Sequence, residues 1–412
     1  MSLRPTVGAL LLATLAVSAV ANAQAPQLRL TLAEAVELAL QRNPTLRAKL
    51  REHEATRANE TTAGLRPNPT AWYAVEQLGS PGIGPQHTIA LSQTIETGGK
   101  RQRRIESARA ATRVSEFDLA DTRRQVVAQV KKAFTDLLAA EATVKLAAEN
   151  MRTVDEIERV TSLRAEKGDI ADLELLRIQV QRFAFERDLA DARQAALAAS
   201  VALRTAVGQE ALAQDFIVDE DLAFRDVPLD RERLLSESRR LRPDVRAAEA
   251  ARDKACADVN LARANAWWDF APLVQYQRIG QDNTFGVGIS VPLRVFDRNQ
   301  GEIARTVAEA GRTDHALQAA VDQARAEVET AYAAADTARD KARRLGDLYL
   351  PRAQRARDTV EFAYRRGGLS VLDLLDAQRT YRETALEHLR ALGAYRNAVY
   401  QLEAAVGGPL EP

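Results

Sequence analysis

The sequence predicts a mainly α-helical chain with a small β part, in which one unit of about 199 residues is written twice. Residues 168–208 lie over 367–407 at a constant offset of 199 with no gap. The overlay pairs Gly168 with Gly367, Leu173 with Leu372, Leu175-Leu176 with Leu374-Leu375, and Ala206-Val207-Gly208 with Ala405-Val406-Gly407. Upstream, Asn43-Pro44 falls on Arg242-Pro243 at the same offset. Residues 100–166 and 300–366 are rich in Ala, Arg, Glu and Leu and contain no proline except Pro351, which predicts very long helices. Four strand-length segments, two in each unit, supply the β part.

The bulk composition narrows the function classes. Lys+Arg and Asp+Glu both number 57, so no basic excess points to nucleic acid. The single cysteine, Cys256, excludes an intrachain disulfide, and His53, His87, His315 and His388 make no metal-ligand spacing. No nucleophile–base constellation or phosphate loop is present, so neither an enzyme nor a cofactor is expected. Residues 1–23 read as an export signal: Arg4 gives a positive flank, Val7 to Val20 is apolar, and Ala21-Asn22-Ala23 is a small-x-small cleavage site. The apolar run falls short of the roughly 20 residues a bilayer requires. No other stretch is long and apolar enough for a transmembrane helix, so an exported chain of this kind enters a membrane with strands.

In chain order, Thr31 and Glu34 are spaced as a capping box ahead of a short helix that Asn43-Pro44 ends. A second helix, about 45–65, stops at Pro67-Asn68-Pro69. Strands are expected at about 71–78 and 88–95, then at 273–279 and 284–295. In the last of these, Phe285, Val287, Ile289, Val291, Leu293 and Val295 share one face, and Thr284, Gly286, Gly288, Ser290 and Arg294 share the other. An apolar face backed by small and polar residues fits an outer-membrane barrel strand, and fits equally a soluble hairpin lying on a core. The export signal and the repetition favour the membrane.

Between the strands, Val127, Val130, Phe134, Leu137, Val144, Ala148 and Met151 step by threes and fours, interrupted by Glu141. About 66 residues make a helix of roughly 100 Å. The helix after Pro44 and the helix returning from Gly168 to Gly208 together come to about the same length, so two shorter helices should stack end to end beside one continuous helix. The second unit repeats this with 244–268 and 368–406 beside the helix from Gln300. Four strands cannot close a barrel and open edges are not tolerated in lipid, so several chains must share one. Three chains give 12 strands and four give 16, while an 8-stranded barrel is filled by its own side chains.

The order of elements resembles the TolC-like outer-membrane efflux family, and the details resemble its heavy-metal branch, the cobalt-zinc-cadmium (CzcC-like) components. The residues that carry the resemblance are Leu30 to Val36 with Asn43-Pro44, Gln93 to Arg101, Val291-Pro292-Leu293, Phe296 to Gly301, and Gly367 to Gln378. It covers essentially the whole mature chain. It implies a homotrimer with a 12-stranded outer-membrane β-barrel, continued by a periplasmic α-helical barrel that docks to a periplasmic adaptor (membrane fusion protein) and an inner-membrane proton-driven RND pump. It divides the chain into a first efflux repeat at 24–208, an equatorial linker at 209–230 and a second repeat at 231–412.

The resemblance also implies roles for named residues. The turns at Gly168 and at Gly367-Gly368 with Ser370 match the helical tips that meet the adaptor. Asp373 and Asp376 match the acidic pair lining the closed periplasmic entrance, where threefold symmetry gathers six carboxylates. In the first unit Glu174 matches Asp373 but Arg177 replaces Asp376, so Arg177 is expected to bind a neighbouring carboxylate and hold the entrance shut. No lipid-attachment cysteine follows the signal, since Gln24-Ala25-Pro26 stands there. Export of cobalt, zinc or cadmium is the leading expectation. A multidrug or type I secretion duct is the alternative within transport, and a periplasmic coiled-coil scaffold is the alternative from another class.

Overall fold

The computed structural model describes residues 28–79, 84–168, 170–212 and 216–410, so the expected signal at 1–23 lies outside the described residues. The chain opens with β1 (Leu28–Leu30), α1 (Leu32–Arg42) and α2 (Pro44–Gly64). Thr31 and Glu34 form the capping box that their spacing predicts, with the Glu34 carboxylate accepting from the Thr31 N–H at 2.8 Å. Asn43 then serves two helices. Its N–H closes α1 on the Ala39 carbonyl, and its side chain accepts from the Leu46 N–H at 3.0 Å to start α2.

Two strands follow, β2 (Thr70–Glu76) and β3 (Gln86–Ser92), and then α3 runs unbroken for 67 residues, Lys100–Glu166. The return helix α4 (Asp172–Val207) and the strand β4 (Phe216–Val218), which pairs in parallel with β1, complete the first unit. The second unit repeats the plan: α5 (Arg231–Leu241), α6 (Pro243–Asn265), β5 (Ala271–Ile279), β6 (Asp282–Ser290), α7 (Gln300–Arg344), α8 (Leu350–Arg365) and α9 (Val371–Val406). Helices α2 and α4 stack along α3, and their junction is tight: a Cβ on Gly208 would lie 3.2 Å from the Arg42 carbonyl oxygen. Helices α6 and α9 meet in the same way, Gly407 against the Arg242 backbone at 3.0 Å. The stacked pair beside a long helix therefore holds in both units, but only α3 is continuous; the expected single helix from Gln300 is interrupted between α7 and α8 at Leu345–Tyr349.

Two apolar cores sit at these junctions. One gathers Leu30, Ala35, Val130, Phe134, Leu137, Leu203 and Val207, and its counterpart gathers Val227, Leu234, Val328, Leu392, Tyr395 and Leu402. Along α3 the buried seam departs from the sequence pattern. Val130, Phe134 and Leu137 are buried, but Val127, Val144, Ala148 and Met151 are only half-buried. Beyond Leu138, also buried, the buried residues are Ala147, Asn150, Val154, Ile157 and Thr161. The shift arises because α3 is covered from several sides, by α2 and α4 of its own unit and by α6 and α9 of the other.

The four long strands form one antiparallel sheet in the order β2-β3-β5-β6, and among the described residues one edge of β2 and one of β6 have no strand partner. The last strand is shorter than expected. It ends at Ser290, opposite Ala271 where β5 begins, so Val291 and Leu293 lie beyond the strand; Pro292 supplies no N–H to extend it.

The strand-to-helix passage explains the motif around Gly98. Gly98 has φ +65°, and a Cβ there would lie 2.8 Å from the Trp267 side chain. Beside it Lys100, 5 % exposed, donates to Asp269 at 2.6 Å, and Thr97 donates its N–H to the same carboxylate at 2.9 Å. Arg104 bridges the Glu96 carboxylate and the Leu65 carbonyl, tying α2 to the passage. Gly98→Ala should cost about 2 kcal/mol through left-handed strain and the clash with Trp267. An unchanged denaturation midpoint would remove that account.

Candidate functional site: the helical tips and the sheet faces

The first tip is the turn between α3 and α4, where Gly168 takes φ +77° and its N–H returns to the Ala165 carbonyl. Glycine populates that region without the cost a Cβ imposes. At the second tip Gly367 takes φ +76°, its N–H bonding the Tyr364 carbonyl, while the Gly368 N–H bonds the Ala363 carbonyl. These paired bonds close the last turn of α8. Ser370 then starts α9: its hydroxyl donates to Asp373 at 2.7 Å, and its N–H donates to the same carboxylate at 3.1 Å. Those two donors hold the Asp373 carboxyl below its ordinary range. Asp373 is thus committed to a capping box, a local role that the matching to relatives did not disclose.

Asp376 pairs with Arg379 one turn on, at 2.7 Å, and both are well exposed. In the first unit Ala171 stands where Ser370 stands, so Glu174 has no hydroxyl to cap against. Glu174 is half-buried and Arg177 exposed, and among the described residues neither makes an ion pair within the chain. Among the described residues, therefore, the four entrance candidates make no ion pair with one another within one chain. Any partner for Arg177 must come from outside the chain as described.

What joins the two tips is a set of residues not singled out from the sequence. Ile157 of α3, Ile178 of α4, Tyr364 of α8, and Val371 and Leu374 of α9 bury one another. Inside this cluster the Thr161 and Tyr364 hydroxyls are 2.9 Å apart, and the Arg164 guanidinium lies over the Tyr364 ring. The signal that could have found them is a tyrosine three residues before the glycine turn, in a segment otherwise dominated by small and charged side chains.

At the other end of the molecule, strand register sorts the sheet into two faces. Direct pairing sets Tyr73 opposite Ile89, Ile89 opposite Tyr276 and Tyr276 opposite Phe285; Leu91 opposite Val274 and Val274 opposite Val287. These, with Ile289, make one apolar face, and Phe285 and Val287 are 78 % and 88 % exposed. The opposite face carries Thr88, Gln275, Gln277, Gly286 and Gly288, with Gln275 lying across Gly286. The apolar face of the last strand therefore continues across all four, while the opposite face is mixed, carrying Trp72, Leu273 and Ile279 beside its small and polar residues. Toward the hairpin ends the apolar face turns polar, at His87, Arg278 and Asn283.

Among the described residues no helix is long and apolar enough to cross a membrane, and no group of three His, Cys, Asp or Glu side chains is placed to hold a metal ion. Cys256 is a free, exposed thiol on α6.

Comparison with known proteins gives a consistent set. The cobalt-zinc-cadmium resistance protein CzcC of Cupriavidus metallidurans is 28 % identical over 384 residues, covering 92 % of this chain and 90 % of that protein. The nickel-cobalt-cadmium resistance protein NccC of Alcaligenes xylosoxydans xylosoxydans is 26 % identical, covering 79 % and 73 %. The pyoverdine export outer membrane protein OpmQ of Pseudomonas putida is also 26 % identical, covering 78 % and 70 %. Among solved structures, CusC superposes with a TM-score of 0.77 at 18 % identity over 92 % of each chain, a likeness of fold. The model of the family described as outer membrane efflux protein matches twice, at residues 35–209 and 234–408, the same two units that the offset of 199 separates. The chain belongs to the outer membrane efflux protein family.

Proposed function

We propose that this efflux channel is the exit duct of a tripartite, proton-driven RND system that carries heavy-metal cations of the cobalt, zinc and cadmium type from periplasm to exterior. The observation that carries the metal class is the similarity to CzcC along 92 % of the chain. In this reading three copies close a 12-stranded barrel in the outer membrane, with the apolar sheet face in lipid and the face bearing Gln275 and Gly286 toward water. The open edges of β2 and β6 supply the need for neighbours. A leading segment, residues 1–23, directs export.

The duplication supports the assembly independently. Within one chain α9 packs on α3: Lys131 donates to Glu403 and lies over the Tyr400 ring, and Asn397 donates to Asp136 at 2.7 Å. The corresponding side of α4 is bare. Leu173, Leu176, Val180, Phe183, Leu197 and Val201 lie exposed along it at coiled-coil steps, Val201 standing where Tyr400 stands in α9. By the internal symmetry its complement is the long helix of the second unit, α7–α8, which in this chain lacks the cover that α3 has. A neighbouring copy supplies it.

At the periplasmic end the turns at Gly168 and at Gly367-Gly368 with Ser370 meet the adaptor, and Asp373, Asp376 and Glu174 line the entrance. Arg177, exposed and unpaired within its chain, reaches a carboxylate of the next copy and holds that entrance shut. Arg177→Ala should raise the conductance of the isolated trimer in a planar bilayer; unchanged conductance would dismiss the latch.

The test of the function itself is growth of a strain lacking this chain, with and without the gene restored, on graded zinc, cobalt, cadmium, copper and silver salts and a panel of hydrophobic drugs. Restorable sensitivity to cobalt, zinc or cadmium is expected. Sensitivity confined to drugs or siderophores would instead favour a wider export duct, a reading that the similarity to OpmQ supports. A coiled-coil scaffold would leave the membrane without detergent.

A further inference from the structure

The two units differ at one place in their long helices. Helix α3 is continuous, whereas α7 and α8 are joined by a π-turn, Leu345–Tyr349, in which the Leu350 N–H reaches back five residues to the Leu345 carbonyl. Turns of this kind are rare and collect at functional positions. The cause lies in the sequence. Pro351 has no N–H, and in an unbroken α-helix its ring would collide with the carbonyl of residue 347, four back. The wider turn relieves that collision. The corresponding stretch of α3, residues 146–152, has neither glycine nor proline and stays α-helical.

The π-turn rests on a histidine. A Cβ on Gly346 would lie 3.0 Å from His388 Cε1, so the ring of His388, from α9, sits directly on the turn's backbone. His388 is half-buried, and its Nδ1 is buried with no hydrogen-bond partner among the described residues. Burial holds the imidazole below its ordinary value, while the Asp347 carboxylate in the turn pulls the other way. The remaining charges around it largely cancel. Lys341 of α7 is bonded to Glu387 at 2.5 Å, and Glu383 and Arg390 line the groove between α9 and the Leu345 and Tyr349 side chains. The side of α9 turned to α3 and α4 carries Arg382, paired to Asp188, and the other flank of Arg390.

We propose that the Leu345–Tyr349 turn and His388 form an acid-sensitive joint confined to the second long helix. At neutral pH the uncharged ring packs on Gly346 and fixes the angle between α7 and α8, and with it the position of Tyr364 at the tip. A proton on the ring creates a buried Nδ1–H donor with no acceptor among the described residues, since Asp347 acts on the ring only by its charge, and an unsatisfied buried donor is costly enough to drive the ring from the contact. The sign follows from the direction of the shift. The neutral, packed form is fully favoured above the ordinary imidazole value of about 6.5, and the contact weakens as pH falls from there through the lowered value.

The test is backbone hydrogen exchange on the full-length assembled protein in detergent, read on peptides covering residues 341–352 at about pH 7.5 and 5.5 and corrected for intrinsic rates. In the unmodified protein, exchange at the turn should rise severalfold on acidification, as protonation of the ring opens the contact. Peptides from residues 143–153 of α3 should not respond. His388→Gln should abolish the response; a response that survives in His388→Gln, or is absent from the unmodified protein, overturns the joint. Should the variant fail to assemble, exchange of the His388 ring C–H, followed by mass spectrometry against pH, needs no substitution. A midpoint below about 6.5 supports the proposal and one at or above it overturns it.

Discussion

Arg242→Ala is expected to lower the unfolding free energy by about 3 kcal/mol, because it strips the counter-charge from two carboxylates at the junction of the second unit. Arg242 has a side chain only 2 % exposed, bonded to Asp244 at 2.9 Å, to Glu327 at 2.7 Å and to the Ala405 carbonyl at 3.0 Å. Removing Arg242 leaves both carboxylates partly desolvated and without their counter-charge, although Glu327 keeps its bond from Gln323 at 2.8 Å. Asp244 and Glu327 keep some access to water, which places the loss at the low end of the usual range for such deletions.

The same cluster fixes a pH dependence. Burial pushes the Asp244 and Glu327 carboxyls up, but the Arg242 guanidinium overrides it at Asp244, and the Gln323 amide together with Arg242 overrides it at Glu327, so both lie below their ordinary values. Depressed carboxyl values contribute stability that is fully present above the ordinary value, about 4, and is lost as pH falls through the lowered one. The gap between the unmodified protein and Arg242→Ala should therefore narrow as denaturation is moved below about pH 4. A gap constant across that window would show that the loss comes from packing of the arginine stem and not from its charge.

Asn43 is the internal control for that cluster. It occupies the same position in the first unit, and its side chain donates to the Ala206 carbonyl at 2.7 Å, the equivalent of the Ala405 bond. One unit thus fills the joint with a neutral amide that also caps α2; the other fills it with a cation and its two carboxylates. The offset of 199 aligned these two residues while giving no sign that they share a carbonyl partner.

That contrast marks how far the sequence could be read. Helix α3 and the stacking beside it were legible because they rest on local rules: proline placement, glycine turns and the arithmetic of helix rise. The extent of β6 was not, since it depends on where β5 begins, and apolar alternation continues past Ser290 with nothing local to stop it but Pro292. Asp373 was legible as an acidic residue near a glycine turn, yet Ser370-x-x-Asp373 is also a helix start, and the structure uses it as one. The Thr161–Tyr364 contact and the Lys100–Asp269 pair link residues 203 and 169 positions apart. No periodicity within a single segment encodes such pairs, which follow from how the two units are folded against each other.

Val287→Arg should be the most disruptive substitution on the sheet, costing roughly 2–4 kcal/mol per chain if its face meets hydrocarbon, and about three times that in a trimer. Val287 is mid-strand, opposite Val274, and its neighbours on the same face are Phe285 and Ile289. An arginine there has no partner within the apolar face and, at mid-strand, a long way to reach water. Gln275→Arg is the matched control: it lies in the adjoining strand opposite Gly286, on the other face, where a water-filled lumen would hydrate the new charge. The measurement is the fraction of chain recovered from membranes as heat-resistant oligomer, with thermal denaturation of what is recovered. Loss with Val287→Arg and near-normal recovery with Gln275→Arg would fix lipid on the apolar side. Equal damage from both would mean that the two faces are not lipid and lumen, and the barrel built from three such sheets would fall with that assignment.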